Sequence, residues 1–190
     1  MSEKQWVKSI YQKIEKELRL LNDNIRVSES KRLPYSNEIL LYDEKDQPTE
    51  VNQLKYETDI LIYELLDENT WKPRIIIEAK INKITTHDAI TYSQKAMTHK
   101  NVHPYLRYGI LVGNRGDYPL PGRLFRYGQY FDFMQSWKLF DADKSEWDGL
   151  IGVLKLEFEA SRTLEEIIFN SRSKGRERYT LLHRPLVLVK

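Results

Sequence analysis

The sequence predicts an α/β domain in which a mixed central sheet is flanked by helices. Three observations lead to this fold class. An N-terminal stretch has the period of an amphipathic helix, two apolar stretches in the middle of the chain have the composition of buried strands, and a capped polar stretch after them is typical of a second helix. Because the chain has 190 residues without a repeat or linker, we expect residues 1–190 to form a single domain.

The first half of the chain contains one clearly periodic segment. Apolar residues recur every three or four positions over residues 6–21, which predicts an amphipathic helix, and the polar residues 22–24 end it. Residues 25–37 have no clear period. A short apolar run at residues 39–42 follows, and a polar loop at residues 43–48 closes it.

The middle of the chain predicts a hairpin followed by a helix. Residues 58–65 and 74–81 are rich in Ile and Leu and predict two strands. The polar residues 66–72 between them predict a turn, so the two strands should pair in antiparallel fashion. Residues 85–88, Thr-Thr-His-Asp, offer an N-cap for a helix that runs to about Asn101.

The remaining elements are predicted from composition. Residues 107–113 predict a third strand, and residues 114–122 predict a loop rich in Gly and Pro. The aromatic-rich residues 124–137 favour an extended conformation, residues 145–173 favour a helix, and residues 179–189 favour a last strand. The sheet would then contain both antiparallel and parallel neighbours.

The composition limits the classes of function. The absence of cysteine excludes disulfides and thiol catalysis, and the reducing cytoplasm is the expected location. No apolar run reaches the roughly 18 residues of a membrane span, and the charged N-terminus does not have the pattern of a secretory signal. With a net charge of only +2, any contact with nucleic acid must depend on local basic patches.

One group of charged residues interrupts the apolar strands of the predicted hairpin. The midpoint between Asp59 and Glu78 falls in the predicted turn, so both lie at the same end of the hairpin, away from that turn. Glu78 and Lys80 are two positions apart and therefore share a face. Two carboxylates beside a buried core are costly unless they are compensated, and a divalent cation would compensate them.

These residues carry a resemblance to a known family. Residues 56–62, Tyr-Glu-Thr-Asp-Ile-Leu-Ile, followed by Ile-Ile-Glu-Ala-Lys at 76–80, resemble the PD-(D/E)XK nuclease superfamily, particularly type II restriction endonucleases. The resemblance covers roughly residues 58–113 together with the N-terminal helix. Thr58 stands where the literal motif has proline. The fold implied by the resemblance is a restriction-endonuclease-like core.

The resemblance implies a Mg²⁺-dependent DNA endonuclease that leaves 5′-phosphate and 3′-hydroxyl ends, with restriction–modification as the favoured role. Asp59, Glu78 and the carbonyl of Ala79 would bind Mg²⁺, and Lys80 would orient or help to deprotonate the attacking water. The alternatives are a repair or recombination nuclease of the same fold and a non-catalytic nucleic-acid-binding module. The expected partners are double-stranded DNA and either a second copy of the chain or a separate DNA-recognition subunit.

Several further residues are accessory candidates, and a solvated surface position is the alternative for each. Glu57 shares the predicted face of Asp59, and a glutamate of the first helix, Glu15 or Glu17, could reach the metal. Residues predicted to approach DNA phosphates are Gln94 and Lys95 on the second helix and the basic residues Arg115, Arg123 and Arg126.

Overall fold

The structure, a computed structural model, describes residues 1–170, 174–175 and 179–189. Five strands follow the first helix, and helices and strands then alternate along the second half of the chain. In chain order they are α1 (Glu3–Arg19), β1 (Ile25–Glu29), β2 (Arg32–Tyr42), β3 (Pro48–Glu57), β4 (Ile60–Leu65), β5 (Trp71–Ile81), α2 (Thr86–Val102), β6 (Arg107–Gly113), α3 (Gly122–Tyr127), β7 (Phe133–Ser136) and α4 (Lys144–Phe169).

The main sheet is mixed, which confirms the predicted class of an α/β fold with helices around a mixed sheet. Its strand order is β1-β4-β5-β6-β7. The pairs β1–β4 and β4–β5 are antiparallel, whereas β5–β6 and β6–β7 are parallel. The inner strands β4, β5 and β6 are largely buried on both faces, which explains their nearly continuous apolar composition.

Helices cover both faces of this sheet. On one face, α1 and α4 pack against β4 and β5 through Trp6, Ile10 and Phe158, all of which are buried. On the other face, α2 packs Ala89 and Ala96 against strands β4 to β6. The α2 face also receives the charged residues singled out in the sequence.

The α2 helix begins where the sequence predicts. The Thr85 hydroxyl accepts from the backbone N–H of Asp88, and the Asp88 carboxylate in turn accepts from the backbone N–H of Thr85. This reciprocal pair is a capping box, which satisfies two backbone donors at the start of a helix. The cap fixes where α2 starts relative to the end of β5, and so where its side chains meet the sheet.

Strands β2 and β3 form a separate two-stranded arm between β1 and β4. The prediction of a short apolar run closed by a loop was therefore incomplete, because residues 43–47 are the tip of a long hairpin. Most residues of both strands are exposed. Leu33 at the base of the arm is buried, but the outer residues have no buried face and therefore no alternating hydrophobic pattern for sequence reasoning to detect.

Other differences from the predictions have simple causes. Strand β1 (Ile25–Glu29) lies in a segment that has no clear period. Residues 122–127 form the short helix α3, and only residues 133–136 of the expected extended segment form a strand. Helix α4 ends at Phe169, and the last residues of the predicted helix, 171–173, lie outside the described residues.

The predicted last strand is wrong for this structure. Residues 179–189 have no regular secondary structure and their side chains are exposed. The composition favours a strand, but a strand also requires an edge with which to pair. Within the described part of the chain, none of the helices combines the length and apolar character needed to cross a bilayer.

Candidate functional site

The β4–β5 hairpin brings the predicted acidic residues to one end of the sheet. Ile60 is the register partner of Ile77, so Asp59, one position before β4, lies across from Glu78. Opposed residues of an antiparallel pair face the same side. Ile76 belongs to the core under α2, so Glu78 and Lys80, two and four positions later in β5, also face α2.

Asp59 is fixed by the backbone of the neighbouring strand. Its Oδ2 accepts a hydrogen bond of 2.8 Å from the backbone N–H of Ala79. In an extended strand the N–H and C=O of one residue point to the same side. The carbonyl of Ala79 therefore also points toward the side of β5 on which Asp59 lies. A carboxylate and a carbonyl, both hard oxygen ligands, face the same space.

Glu78 is a buried carboxylate with two partners. Its side chain is 1% exposed. The hydroxyl of Tyr108 donates to Oε1 at 2.5 Å, and the ammonium of Lys95 lies 2.8 Å from the same oxygen. Burial raises the pKa of Glu78; Lys95 opposes this change, and the nearby negative charge of Asp59 adds to it. The charged form of Glu78 is therefore costly in this buried position unless a positive charge lies beside it.

Lys80 extends the site toward the N-terminus of the chain. Its Nζ lies 3.2 Å from a carboxylate oxygen of Glu3, in the first turn of α1, and 5.1 Å from the ring centre of Tyr92. Burial opposes the charged form, but contacts with Tyr92 and Glu3 raise the pKa of Lys80 above its ordinary value. The pKa of Tyr92 is raised as well, mainly by burial, so its hydroxyl stays neutral and Glu3 is the charged partner.

This direction of shift favours the charged form of Lys80. Its pKa is higher than that of a free lysine. The ammonium is therefore suited to attract a phosphate or to stabilise developing negative charge. Of the two roles that the resemblance implies for Lys80, orientation fits this geometry directly, and help in deprotonating the attacking water stays a prediction.

Four partners of the site were missed or misjudged from the sequence: Glu3, Tyr92, Lys95 and Tyr108. One signal was available. Tyr92, Lys95 and His99 recur at three- and four-residue spacing on α2, the same period as the buried Ala89 and Ala96. A polar stripe on the buried face of a helix indicates that something polar lies beneath it. Lys95, predicted as a DNA contact, has Glu78 as a partner, and its contact with DNA stays a prediction.

The accessory candidates differ in position and partner. Glu57 is exposed at the end of β3, two positions before Asp59, and its accessory role stays a prediction. Glu17 lies fourteen residues along α1 from Glu3, which corresponds to about 21 Å of helix. Glu15 instead accepts a hydrogen bond from the backbone N–H of Val27. Gln94 is exposed, and its amide contacts the sulfur of Met97.

The predicted DNA-contacting arginines are divided between structural and exposed positions. Arg115 donates to the carbonyls of Asn82 and Pro119, and Arg123 donates to the carbonyl of Ile84. Both side chains therefore link loops that follow β5 and β6. Arg126 is exposed on α3. Contact with DNA stays a prediction for all three.

The oxygen atoms at the site fit a hard cation that keeps part of its water shell. Among the described residues, no group of three or more His, Asp or Glu side chains is suitably placed to hold a metal ion. Mg²⁺ commonly uses only one or two carboxylates and retains several waters. The contacts described above fall on Oδ2 of Asp59 and Oε1 of Glu78, which leaves Oδ1, Oε2 and the Ala79 carbonyl as candidate ligands.

No family model matches the chain, and no curated protein matches it. The interpretation of the site therefore depends on its own residues and geometry.

Proposed function

We propose that the protein is a Mg²⁺-dependent DNA endonuclease of the PD-(D/E)XK type with a restriction-endonuclease-like core, and that it acts in restriction–modification. The observation that carries the proposal is the joint arrangement of Asp59, Ala79 and Glu78. A carboxylate at the start of one strand is hydrogen-bonded to the strand that carries the second carboxylate. Lys80 follows on that strand and extends the site toward α1.

The roles follow from the positions of these side chains. A divalent cation bound here would supply charge stabilisation at a phosphate oxygen and an activated water. Asp59, Glu78 and the Ala79 carbonyl would hold it. Lys80, kept protonated by Glu3, would orient the phosphate and stabilise the charge that builds on it. Tyr108 holds the Glu78 carboxylate in place.

A second candidate function is a nucleic-acid-binding module without catalysis. It is favoured by the ammonium of Lys95, which lies 2.8 Å from Glu78 and already compensates its charge without a cation. In this alternative the Glu78–Lys95 pair is structural, and Mg²⁺ has no effect on the protein.

The decisive experiment is cleavage of supercoiled plasmid DNA by the purified chain in Mg²⁺ and in EDTA. Nicked or linear product should form only with Mg²⁺. Asp59→Asn and Glu78→Gln should each abolish cleavage, because each removes one anionic ligand while keeping the size of the side chain. Glu68→Gln is the matched control, since Glu68 is exposed in the turn at the opposite end of the hairpin.

Each result separates the two candidates. DNA binding without Mg²⁺-dependent cleavage would favour the binding module. Full cleavage by Asp59→Asn would place the catalytic site elsewhere. The pattern of products on DNA of defined sequence distinguishes restriction, which cuts at a fixed site, from repair or recombination, which follows DNA structure.

A further inference from the structure

The outer part of the β2–β3 arm, residues 36–53, is an exposed surface of unusual composition. Its apolar side chains are 45–60% exposed, and these are Ile39, Leu40, Leu41, Tyr42 and Val51. The same stretch has five acidic residues and one basic residue. Among the described strands, β2 and β3 pair only with each other. Both edges of the arm are therefore open to a further strand.

The C-terminal tail, residues 181–189, has the complementary properties. Its sequence is Leu-Leu-His-Arg-Pro-Leu-Val-Leu-Val, and its Leu and Val side chains are 66–92% exposed. Residues 171–190 contain six Lys or Arg and one acid. Six apolar residues among nine, many of them Val and Leu, are typical of a strand that is buried against something.

We propose that the tail of one copy of this chain adds as a third strand to the arm of a second copy, and that the exchange is reciprocal in a two-fold dimer. Addition of an extended segment to a sheet edge gives backbone hydrogen bonds and burial of alternate side chains. The nine residues of the tail match the ten residues of β3. The acidic residues of the arm attract the Lys and Arg residues of positions 171–190, of which Arg184 lies within the tail.

The edge of β3 is the better receiving edge. Of the three irregularities in the arm, two place their extra residues, Tyr35 and Leu40, in β2, and one places Thr49 in β3 near the tip, so that Glu50–Leu54 of β3 is uninterrupted. Pro185 in the tail lacks a backbone N–H and is tolerated only where that position faces outward. An added outermost strand meets this condition, since one of its sides is unpaired.

The composition of both surfaces favours protein over DNA as the occupant. The acidic arm would repel phosphates, and an apolar tail gains little from contact with a charged backbone. Exchange between copies is favoured over docking within one chain, because the arm and the tail of a single chain are both exposed. A two-fold axis satisfies both copies with one type of contact. This inference does not depend on the nuclease proposal.

The test is the molar mass of the full-length protein by size-exclusion chromatography with light scattering. The wild type should have twice the mass of the chain. A tail variant, Leu186→Asp/Leu188→Asp, and an arm variant, Ile39→Ser/Val51→Asp, should each raise the dimer dissociation constant by at least about tenfold. A control variant, Leu139→Ser/Leu156→Asp, removes side chains that are 63% and 73% exposed elsewhere and should remain dimeric.

Mixing the two variants decides between exchange and other arrangements. A mixed dimer pairs the intact arm of the tail variant with the intact tail of the arm variant, so the mixture should regain a dimer fraction that neither variant has alone. Circular dichroism of each variant verifies that the fold is retained. A monomeric wild type, or a mixture that stays monomeric, would overturn the proposal. So would a tail variant that loses only DNA binding while its mass is unchanged.

Discussion

Replacement of Lys95 by Met tests the electrostatics of the site most directly. Lys95 lies 2.8 Å from Glu78, and the exposed fractions of the two side chains are 18% and 1%. Loss of one partner of a buried pair costs about 3–5 kcal/mol, because the other charge is left uncompensated. Glu78 can avoid this cost by binding a proton. Protonation of a glutamate whose unfolded pKa is about 4.3 costs about 5 kcal/mol of free energy at pH 8 but only about 1.6 kcal/mol at pH 5.5.

The expected result is a pH-dependent loss of stability. Lys95→Met should lower the free energy of unfolding, measured with urea, by about 3–5 kcal/mol at pH 8 and by no more than about 2 kcal/mol at pH 5.5. Glu78→Gln/Lys95→Met should show little of this difference, because the amide cannot ionise and still accepts from Tyr108. The exposed Lys83→Met is the control. An equal cost of Lys95→Met at both pH values would refute the reasoning.

The same variant reports on the metal without any activity measurement. If Mg²⁺ is held by Asp59 and Glu78, the loss of Lys95 removes a competing cation, and Mg²⁺ should stabilise Lys95→Met more than it stabilises the wild type. A concentration one hundred times the dissociation constant corresponds to about 2.7 kcal/mol. No gain from Mg²⁺ in either protein would leave Glu78 with a structural role only.

Three further predictions concern single positions. Lys80→Ala should lower turnover by about 10² or more while stabilisation by Mg²⁺ persists; equal loss in Lys83→Ala would contradict a specific role. Burial lowers the pKa of His99 to about 4, below its unfolded value. The free energy of unfolding should therefore be nearly constant above about pH 6.5 and fall by about 2 kcal/mol from pH 7 to pH 5. Urea titrations of His99→Gln should not show this decline. Gly109→Ala should lower the free energy of unfolding, measured by thermal melts, by about 1–3 kcal/mol, because a Cβ there would lie 2.2 Å from an aromatic ring of β7. The control Gly122→Ala has open space around it and should leave the free energy of unfolding almost unchanged.

The parts of the fold that were predictable are those with a local or periodic signal. Strand β6 (Arg107–Gly113) was predicted at both ends, and the cap of α2 was predicted within residues 85–88, where Thr85 provides it. The position of Asp59 and Glu78 at the same end of the hairpin followed from the turn and is confirmed by the pairing of the strands. Continuous apolar strands and a capping residue are properties of the sequence alone, so they did not depend on the tertiary structure.

The parts that were not predictable depend on contacts between distant segments. Lys95 and Tyr108 reach Glu78 only because α2 covers that face of the sheet and β6 pairs with β5 beside it. Glu3 reaches Lys80 across 77 positions of sequence. The arm escaped detection for the opposite reason, since its outer residues have no buried face and hence no pattern. Pairing between charged side chains needs the three-dimensional arrangement before it can be assigned.

The place of the arm in the chain has a consequence for how this protein can be modified. Glu29 and Ile60, on either side of the arm, are register partners in the main sheet, and the backbone N–H and hydroxyl of Thr58 both donate to the carbonyl of Lys31. The chain thus leaves and re-enters the sheet at one closed point beside Asp59. Doubling the length of a loop costs only about 0.6 kcal/mol. The outer part of the arm, residues 36–53, is therefore a site where we expect segments to be grafted, shortened or exchanged while the sheet and the acidic cluster keep their geometry.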